Sequence, residues 1–113
     1  MRYLLLICAD ETVQLGPGEG AARGSATGSW VAEMDGRGVR RQADRLRPVS
    51  EAAAVRVRGG EVPAGDGPSA EATEQIAGFD VLECAGLDEA IEVASRHPVA
   101  RIGTVEVRPF WRE

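Results

Sequence analysis

Lysine is absent from this sequence, and other residue types that commonly carry chemistry are scarce. All 13 basic residues are arginines, and the chain holds one histidine and two cysteines. These side chains are too few to assemble a credible zinc site, and the glycine-rich stretch 16–28 lacks the lysine of a phosphate-binding P-loop. We therefore expect neither a metal nor a cofactor. The exclusive use of arginine, together with abundant alanine, glycine and valine, indicates a GC-rich bacterial genome.

Long apolar runs are lacking as well. The opening apolar stretch, Leu4–Ala9, is too short to span a membrane and lacks the features of a secretory signal. The net charge of −5 gives no general attraction to nucleic acid or to an anionic membrane. Cys8 and Cys84 fall in apolar strand candidates, which predicts reduced core thiols and a cytoplasmic protein. A chain of 113 residues predicts a single domain, 1–113.

Two segments have apolar side chains on both faces of a predicted strand. In Arg2–Ala9, apolar residues occupy the odd and the even positions alike, and Ile76–Cys84 shows the same pattern. A strand that is apolar on both faces is covered on both faces. We therefore expect these two strands at the centre of a sheet, with helices on one face and a second subunit on the other.

Two helices are predicted around these strands. The first, 21–36, is weakly encoded because Gly24 and Gly28 each cost roughly 1 kcal/mol relative to alanine. The second, 87–96, begins after Gly86 and is expected to end at Pro98. Its predicted buried stripe consists of the residues Leu87, Ile91 and Ala94.

The remaining segments are predicted to be extended. A charged edge strand runs over 39–49, a hairpin over 53–63 and a last strand over 104–110, and Asp66-Gly67-Pro68 forms a turn. The order strand, helix, strand, hairpin, strand, helix, strand predicts an α+β, ferredoxin-like sandwich with an inserted hairpin.

Three strings resemble the YCII-related family in its DGPF-motif group: D-G-P-S-A-E-A-T-E-Q-I-A-G-F at 66–79, L-D-E-A at 87–90 and V-E-V-R-P at 105–109. The resemblance covers about the whole chain and is densest from Asp66 onward. It implies a dimeric α/β barrel in which two ferredoxin-like sheets face each other. It names no reaction, because most members are uncharacterised; relatives on the fold include isomerases, dehalogenases and tailoring enzymes.

Two functions from different classes follow from the resemblance. The first is binding or transformation of a small acidic or aromatic metabolite in a cavity of the homodimer. Any catalysis there is expected to be cofactor-independent acid–base chemistry, as in an isomerase, lyase or dehalogenase. The second is a non-catalytic partner of the kind associated with alternative sigma factors. An enclosed cavity with Asp66 or His97 favours the first, and a filled core with an outer apolar patch favours the second.

Asp66 and His97 are the predicted catalytic residues. Asp66 in its Gly-Pro turn is a candidate general acid or base, although an Asx turn explains the same residue. His97 is a candidate proton shuttle, although a histidine at a helix end is also a favourable partner of the helix dipole. Some relatives are thought to pair an aspartate with a histidine on the first helix. Here the first helix has no histidine, so only a rearranged pair of Asp66 and His97 can replace it.

Arg108 and Ser69 are the predicted ligand-binding residues. Arg108 in the last strand is a candidate anion anchor, and Ser69 stands where the motif group has phenylalanine. A further band of arginines is interpreted as a charged edge that resists aggregation, with bidentate binding of a carboxylate or phosphate as the alternative. Trp30 is expected in the core and Trp111 in C-terminal packing. The band consists of Arg40, Arg41, Arg45, Arg47, Arg56 and Arg58.

Overall fold

The computed structural model describes residues 1–13, 16–55, 57, 59, 64–66 and 74–111, with the backbone alone for 64–66. These residues form six strands and two helices, with 3₁₀ turns at Val49–Glu51 and Pro98–Arg101. The elements in chain order are β1 (Arg2–Ala9), α1 (Glu19–Gly36), β2 (Arg40–Arg45), β3 (Ala53–Val55), β4 (Ala64–Asp66), β5 (Gln75–Glu83), α2 (Leu87–Ser95) and β6 (Thr104–Pro109).

Four strands form one antiparallel sheet in the order β2-β5-β1-β6. Strands β3 and β4 form a separate two-stranded sheet, so a hairpin is inserted here, with its second strand just beyond the predicted range 53–63. The two helices pack on one face of the main sheet. The predicted α+β class, the two central strands and the edge position of β2 are confirmed. The arrangement is compatible with a ferredoxin-like fold.

The two faces of β1 differ in burial. Tyr3, Leu5 and Ile7 lie beneath the helices and are at most 8% exposed. Leu4 and Leu6 on the opposite face are half-buried, and no helix of the described residues lies above them. We call this second face the open face; on β5 it includes Phe79 and Val81, which pair with Leu6 and Leu4. The predicted two-faced apolar pattern is therefore present in the fold.

Helix α1 ends in a glycine-dependent cap. Gly38 has φ 72°, a left-handed conformation that glycine adopts without steric cost. The amides of Gly38 and Val39 donate to the carbonyls of Asp35 and Met34, which is a Schellman arrangement. Met34 and Val39 are both buried, so the cap also directs the chain into β2.

Helix α2 begins after Gly86, as predicted; of its predicted buried stripe, Ala94 is confirmed and Leu87 and Ile91 are wrong. The buried residues are Ala90, Val93 and Ala94, whereas Leu87 and Ile91 are 49% and 50% exposed. The prediction followed the largest side chains. In the fold, two alanines face the sheet, which lets the helix pack closely.

Other predicted details are corrected by the structure. Trp111 is 97% exposed and does not pack. Asp66 ends β4, opposite Ala53, and the rest of its predicted turn, 67–68, lies outside the described residues. Cys84 is buried as predicted, and Cys8 is partly exposed on the open face; both thiols are free. No helix within the described residues is long and apolar enough to cross a membrane.

Candidate functional site

An open cavity of about 420 Å³ lies between α1 and the β2–β5 edge of the sheet. It exists because small residues, Ala43 on β2 and Gly78 on β5, occupy sheet positions beneath α1. Its walls combine apolar and aromatic side chains with charged groups. The side chains that matter chemically are Trp30, Arg40, Arg45, Asp80 and His97.

Asp80 is a buried carboxylate, 5% exposed, on the helix side of β5. Its Oδ1 accepts a hydrogen bond of 2.7 Å from Nε of Arg40, and the Arg40 guanidinium also contacts Asp35 at 3.3 Å. Burial opposes the charge on Arg40, but the hydrogen bonds and charges of Asp80 and Asp35 raise its pKa above the ordinary arginine value. The cavity wall therefore holds a fixed ion pair.

His97 is also 5% exposed, and it terminates the segment after α2. Its Nδ1 accepts a hydrogen bond of 3.1 Å from the amide of Val99, which caps the following 3₁₀ turn. Its ring packs edge-on against Trp30, with 4.6 Å between ring centroids. Burial lowers the pKa of His97, and the negative charge of Asp80 only partly offsets this. The imidazole is therefore neutral at pH 7, rather than a cationic partner of the helix dipole.

The second nitrogen of His97 is available to the cavity. Because Nδ1 accepts a hydrogen bond, the proton of the neutral ring lies on Nε2. Within the described part of the chain, Nε2 has no hydrogen-bond partner. Every fully buried side-chain nitrogen in that part has a partner, so Nε2 is not fully buried. Nε2 therefore borders open space, and the cavity is the space that His97 lines. The arrangement presents one N–H donor to a ligand.

Beside Asp44, which also lines the cavity, Arg45 is the positive group at the exposed side. It pairs with Gly78 in the β2–β5 register and therefore points toward the helix side of the sheet. No ion pair to Arg45 is found among the described residues, whereas Arg40 and Arg47 are both paired with carboxylates. A guanidinium without an ion pair that lines the same cavity as an N–H donor and an aromatic wall suits a carboxylate with an apolar body.

Two of the predicted site residues, Arg108 and His97, lie in different parts of the fold. Arg108 lies on the open face of β6, 70% exposed and ion-paired with Glu106, so the sheet separates it from His97. The backbone of Asp66 lies at the end of β4, but its side chain and all of Ser69 are outside the described residues. Of the four predicted residues, His97 alone is placed in the described cavity.

Asp80, and its pairing with Arg40, were not predicted from the sequence. In the sequence, Asp80 is a single polar residue in an apolar strand, and its partner Arg40 lies 40 residues earlier. The available signal was an acidic residue between apolar neighbours in a strand predicted to be buried. Such a residue indicates a partner, because buried acids are almost always paired. Among the described residues, no group of three or more His, Cys, Asp or Glu side chains could hold a metal ion.

Comparison with known proteins gives a family but no activity. The profile of the YCII-related domain matches residues 1–113, so the chain belongs to that family. An uncharacterised protein of Rhizobium meliloti (strain 1021) is 44% identical over 68 residues. That match covers 58% of this chain and 55% of the relative, so the chain matches about half the relative's length.

Proposed function

We propose that this member of the YCII-related domain family binds a small acidic metabolite with an aromatic or apolar body in the cavity beneath α1. The supporting observation is the buried, neutral His97, whose Nδ1 is occupied by Val99 and whose Nε2–H borders the cavity. Arg45 supplies the anion anchor, and Trp30 and Ile7 supply apolar wall. The paired Arg40 and Asp80 hold the wall in place instead of binding the ligand directly.

The chemistry open to such a site is polarisation of a carbonyl or carboxyl oxygen. A neutral imidazole donates a hydrogen bond from Nε2 to an oxygen on which charge develops. It does not serve as a proton acceptor here, because Val99 occupies Nδ1. Cofactor-independent isomerase or lyase chemistry in this cavity needs a base other than His97. Asp66 remains our candidate for that base and Ser69 a candidate ligand contact, both on the strength of the D-G-P-S string at 66–69 and the DGPF-motif group it resembles.

We also propose a homodimer in which two open faces stack to form an α/β barrel. Leu4, Leu6 and Phe79 are half-buried without a covering helix, and a face of this kind is ordinarily covered in a sheet that is apolar on both sides. Stacking would bury about 2,000 Å² or more in total if the dimer is obligate. We place the protein in the cytoplasm.

The ligand proposal is tested by NMR titration with benzoate, and with benzamide as the neutral control. Because the chain has one histidine, a single set of imidazole signals reports on the cavity. We expect benzoate, but not benzamide, to shift the His97 signals in a saturable manner. Loss of one charge-assisted contact costs roughly 1.5–3 kcal/mol, so Arg45→Gln should weaken benzoate at least about tenfold.

Arg108→Gln is the matched control, because Arg108 is also an exposed arginine on an edge strand. We expect it to leave benzoate binding unchanged. If Arg108→Gln weakens binding and Arg45→Gln does not, the original anchor assignment is right and the cavity beneath α1 is not the ligand site. If no carboxylate shifts His97, the alternative of a non-catalytic partner associated with alternative sigma factors remains the better proposal.

A further inference from the structure

Among the described strands, β6 forms one edge of the main sheet, and its backbone groups alternate in direction. The amide of Phe110 donates to the carbonyl of Arg2, and Pro109 lies opposite Tyr3. Residues 104, 106, 108 and 110 therefore turn their backbone groups toward β1. Residues 105, 107 and 109 turn theirs outward, away from the sheet. Pro109 has no amide proton, but its nitrogen points outward, so no hydrogen bond between β1 and β6 is lost.

Exposed apolar side chains are concentrated beside this edge. Ile91 on α2 is 50% exposed and lines a groove with Val105 and Val107 on the helix side of β6. Other large apolar residues around the strand and on the same helix are also exposed: Leu87 49%, Ile102 55%, Phe110 40% and Trp111 97%. Single exposed apolar residues are common, but a contiguous group of them marks an interaction surface.

We propose that β6 pairs antiparallel with β6 of a second copy of this chain, joining two main sheets edge to edge. A two-fold axis through Val107 places Val107 opposite its symmetry mate with both outward backbone groups hydrogen-bonded. Val105 then lies opposite the second copy's residue at position 109, where one further bond forms in each direction. The result is a continuous eight-stranded sheet with all four helices on one side. This contact is separate from the stacking of open faces and does not depend on the ligand proposal.

The charges on β6 select this register. With the axis on Val107, Glu106 faces the second copy's residue at 108 and Arg108 faces the residue at 106, so two opposite-charge pairs form across the strands. Moving the axis to Glu106 places two glutamates opposite each other, and moving it to Arg108 places two arginines opposite each other. Within one chain these side chains already pair at 3.0 Å on the open face. When the strands pair, Glu106 can bind Arg108 of the second copy instead of Arg108 of its own chain.

The same register accounts for the exposed apolar group. Trp111 falls alongside position 103 of the second copy, next to the otherwise exposed Ile102. Phe110 falls alongside position 104. On the helix side, Val107 and Ile91 approach their symmetry mates, because the groove they line faces the axis. Ile91, Ile102, Phe110 and Trp111, which are exposed in one chain, are therefore at or beside the contact with the second copy.

Charge exchange on β6 gives a sharp test. Glu106→Arg and Arg108→Glu, each alone, place like charges across the axis. We expect each to weaken self-association, measured by sedimentation equilibrium, about tenfold or more because two cross-strand pairs change sign. An equimolar mixture of the two variants should associate as a heterodimer, since every charge then faces its opposite. The double variant Glu106→Arg/Arg108→Glu should also recover association.

A second variant tests the apolar part of the contact. Ile91→Glu should weaken self-association, whereas Val13→Glu, at a site of similar exposure on another surface, should not. Thermal unfolding of each variant reports separately on folding. The proposal is overturned if both single charge variants associate as tightly as the wild type, or if their mixture gains nothing. It is equally overturned if Ile91→Glu and Val13→Glu behave alike.

Discussion

His97 acts as a hydrogen-bonding cap that is stable only when its ring is neutral. Its Nδ1 accepts from the amide of Val99, and Trp30 covers the ring. A protonated imidazole has no lone pair for that amide and would carry a charge into a buried position. The residue that sequence reasoning treated as a proton shuttle is therefore held in one tautomer by the fold.

This arrangement predicts a pH dependence of stability. Because the pKa of His97 is lowered in the folded state, the unfolded chain binds the proton first as pH falls. Stability is full above the unfolded pKa of about 6.5 and declines by up to about 1.4 kcal/mol per pH unit below it. The decline stops once the folded-state pKa is passed. Urea unfolding between pH 5 and about pH 8 measures it.

His97→Asn is the appropriate comparison variant. The asparagine side-chain oxygen can accept from the Val99 amide as an N-cap, but it does not titrate. We expect the variant to lose the dependence between about pH 5 and about pH 7 while remaining folded. Parallel pH profiles for the variant and the wild type would contradict a buried neutral His97.

The site was predictable from sequence only where a residue's role is local. His97 was found because it is the sole histidine and precedes Pro98. Asp80 and Arg40 were not recognised as a pair, because their contact depends on the register of β2 against β5, in which Ala43 lies opposite Asp80. Pairing of strands distant in sequence is fixed by the whole sheet and cannot be read from either strand alone.

At the scale of elements, order and type were predictable but helix orientation was not. Strand alternation in β6 placed Val105 and Val107 correctly toward the helices. For α2, the largest side chains suggested a face including Ile91, yet the helix turns its alanines inward. Close packing of a helix on a sheet favours small residues at the contact. The exposed Ile91 is then available for the edge contact proposed above.

The connection from α2 to β6 makes a testable close approach at Gly103. A β-carbon at this position would overlap the Cys8 carbonyl and crowd Val99. Both β1 and the 3₁₀ turn would have to shift, so Gly103→Ala should lower the free energy of unfolding by about 1–3 kcal/mol. Chemical denaturation of the variant measures this loss.

Gly28→Ala is the matched control for that substitution. Gly28 lies on an exposed position of α1, and its β-carbon would meet no atom within 4 Å. Alanine has the higher helix propensity, so the variant should gain about 0.5–1 kcal/mol. Equal effects of the two substitutions would show that the close approach at Gly103 does not constrain the fold.

For the whole molecule, the sequence predicted the class of fold because two central strands are apolar on both faces. The order of elements and the rule that consecutive elements lie close together leave few arrangements of four strands and two helices. The sequence does not predict how the open face is covered, because that depends on contacts between two molecules. The open face and the β6 edge are two such surfaces, and they require separate tests.

Cys8 offers a direct probe of the open face. It lies there partly exposed, and burial together with the nearby Glu106 and Glu74 raises the pKa of its thiol. Cys84 is buried beneath α2, so a Cys84→Ser variant leaves one reactive thiol without exposing another. Reaction with a disulfide reagent should be slow at pH 7 and should accelerate as pH rises, because the thiolate is the reacting form.

If open faces stack, the labelling rate of Cys8 should fall as protein concentration rises, because the second copy covers the thiol. The same fall should persist in Ile91→Glu, in which the edge contact is removed but the open face is intact. A rate independent of concentration from nanomolar to about 100 µM would exclude a stacked dimer of ordinary affinity. A fall that disappears with Ile91→Glu would instead show that edge pairing is required before the open faces can meet.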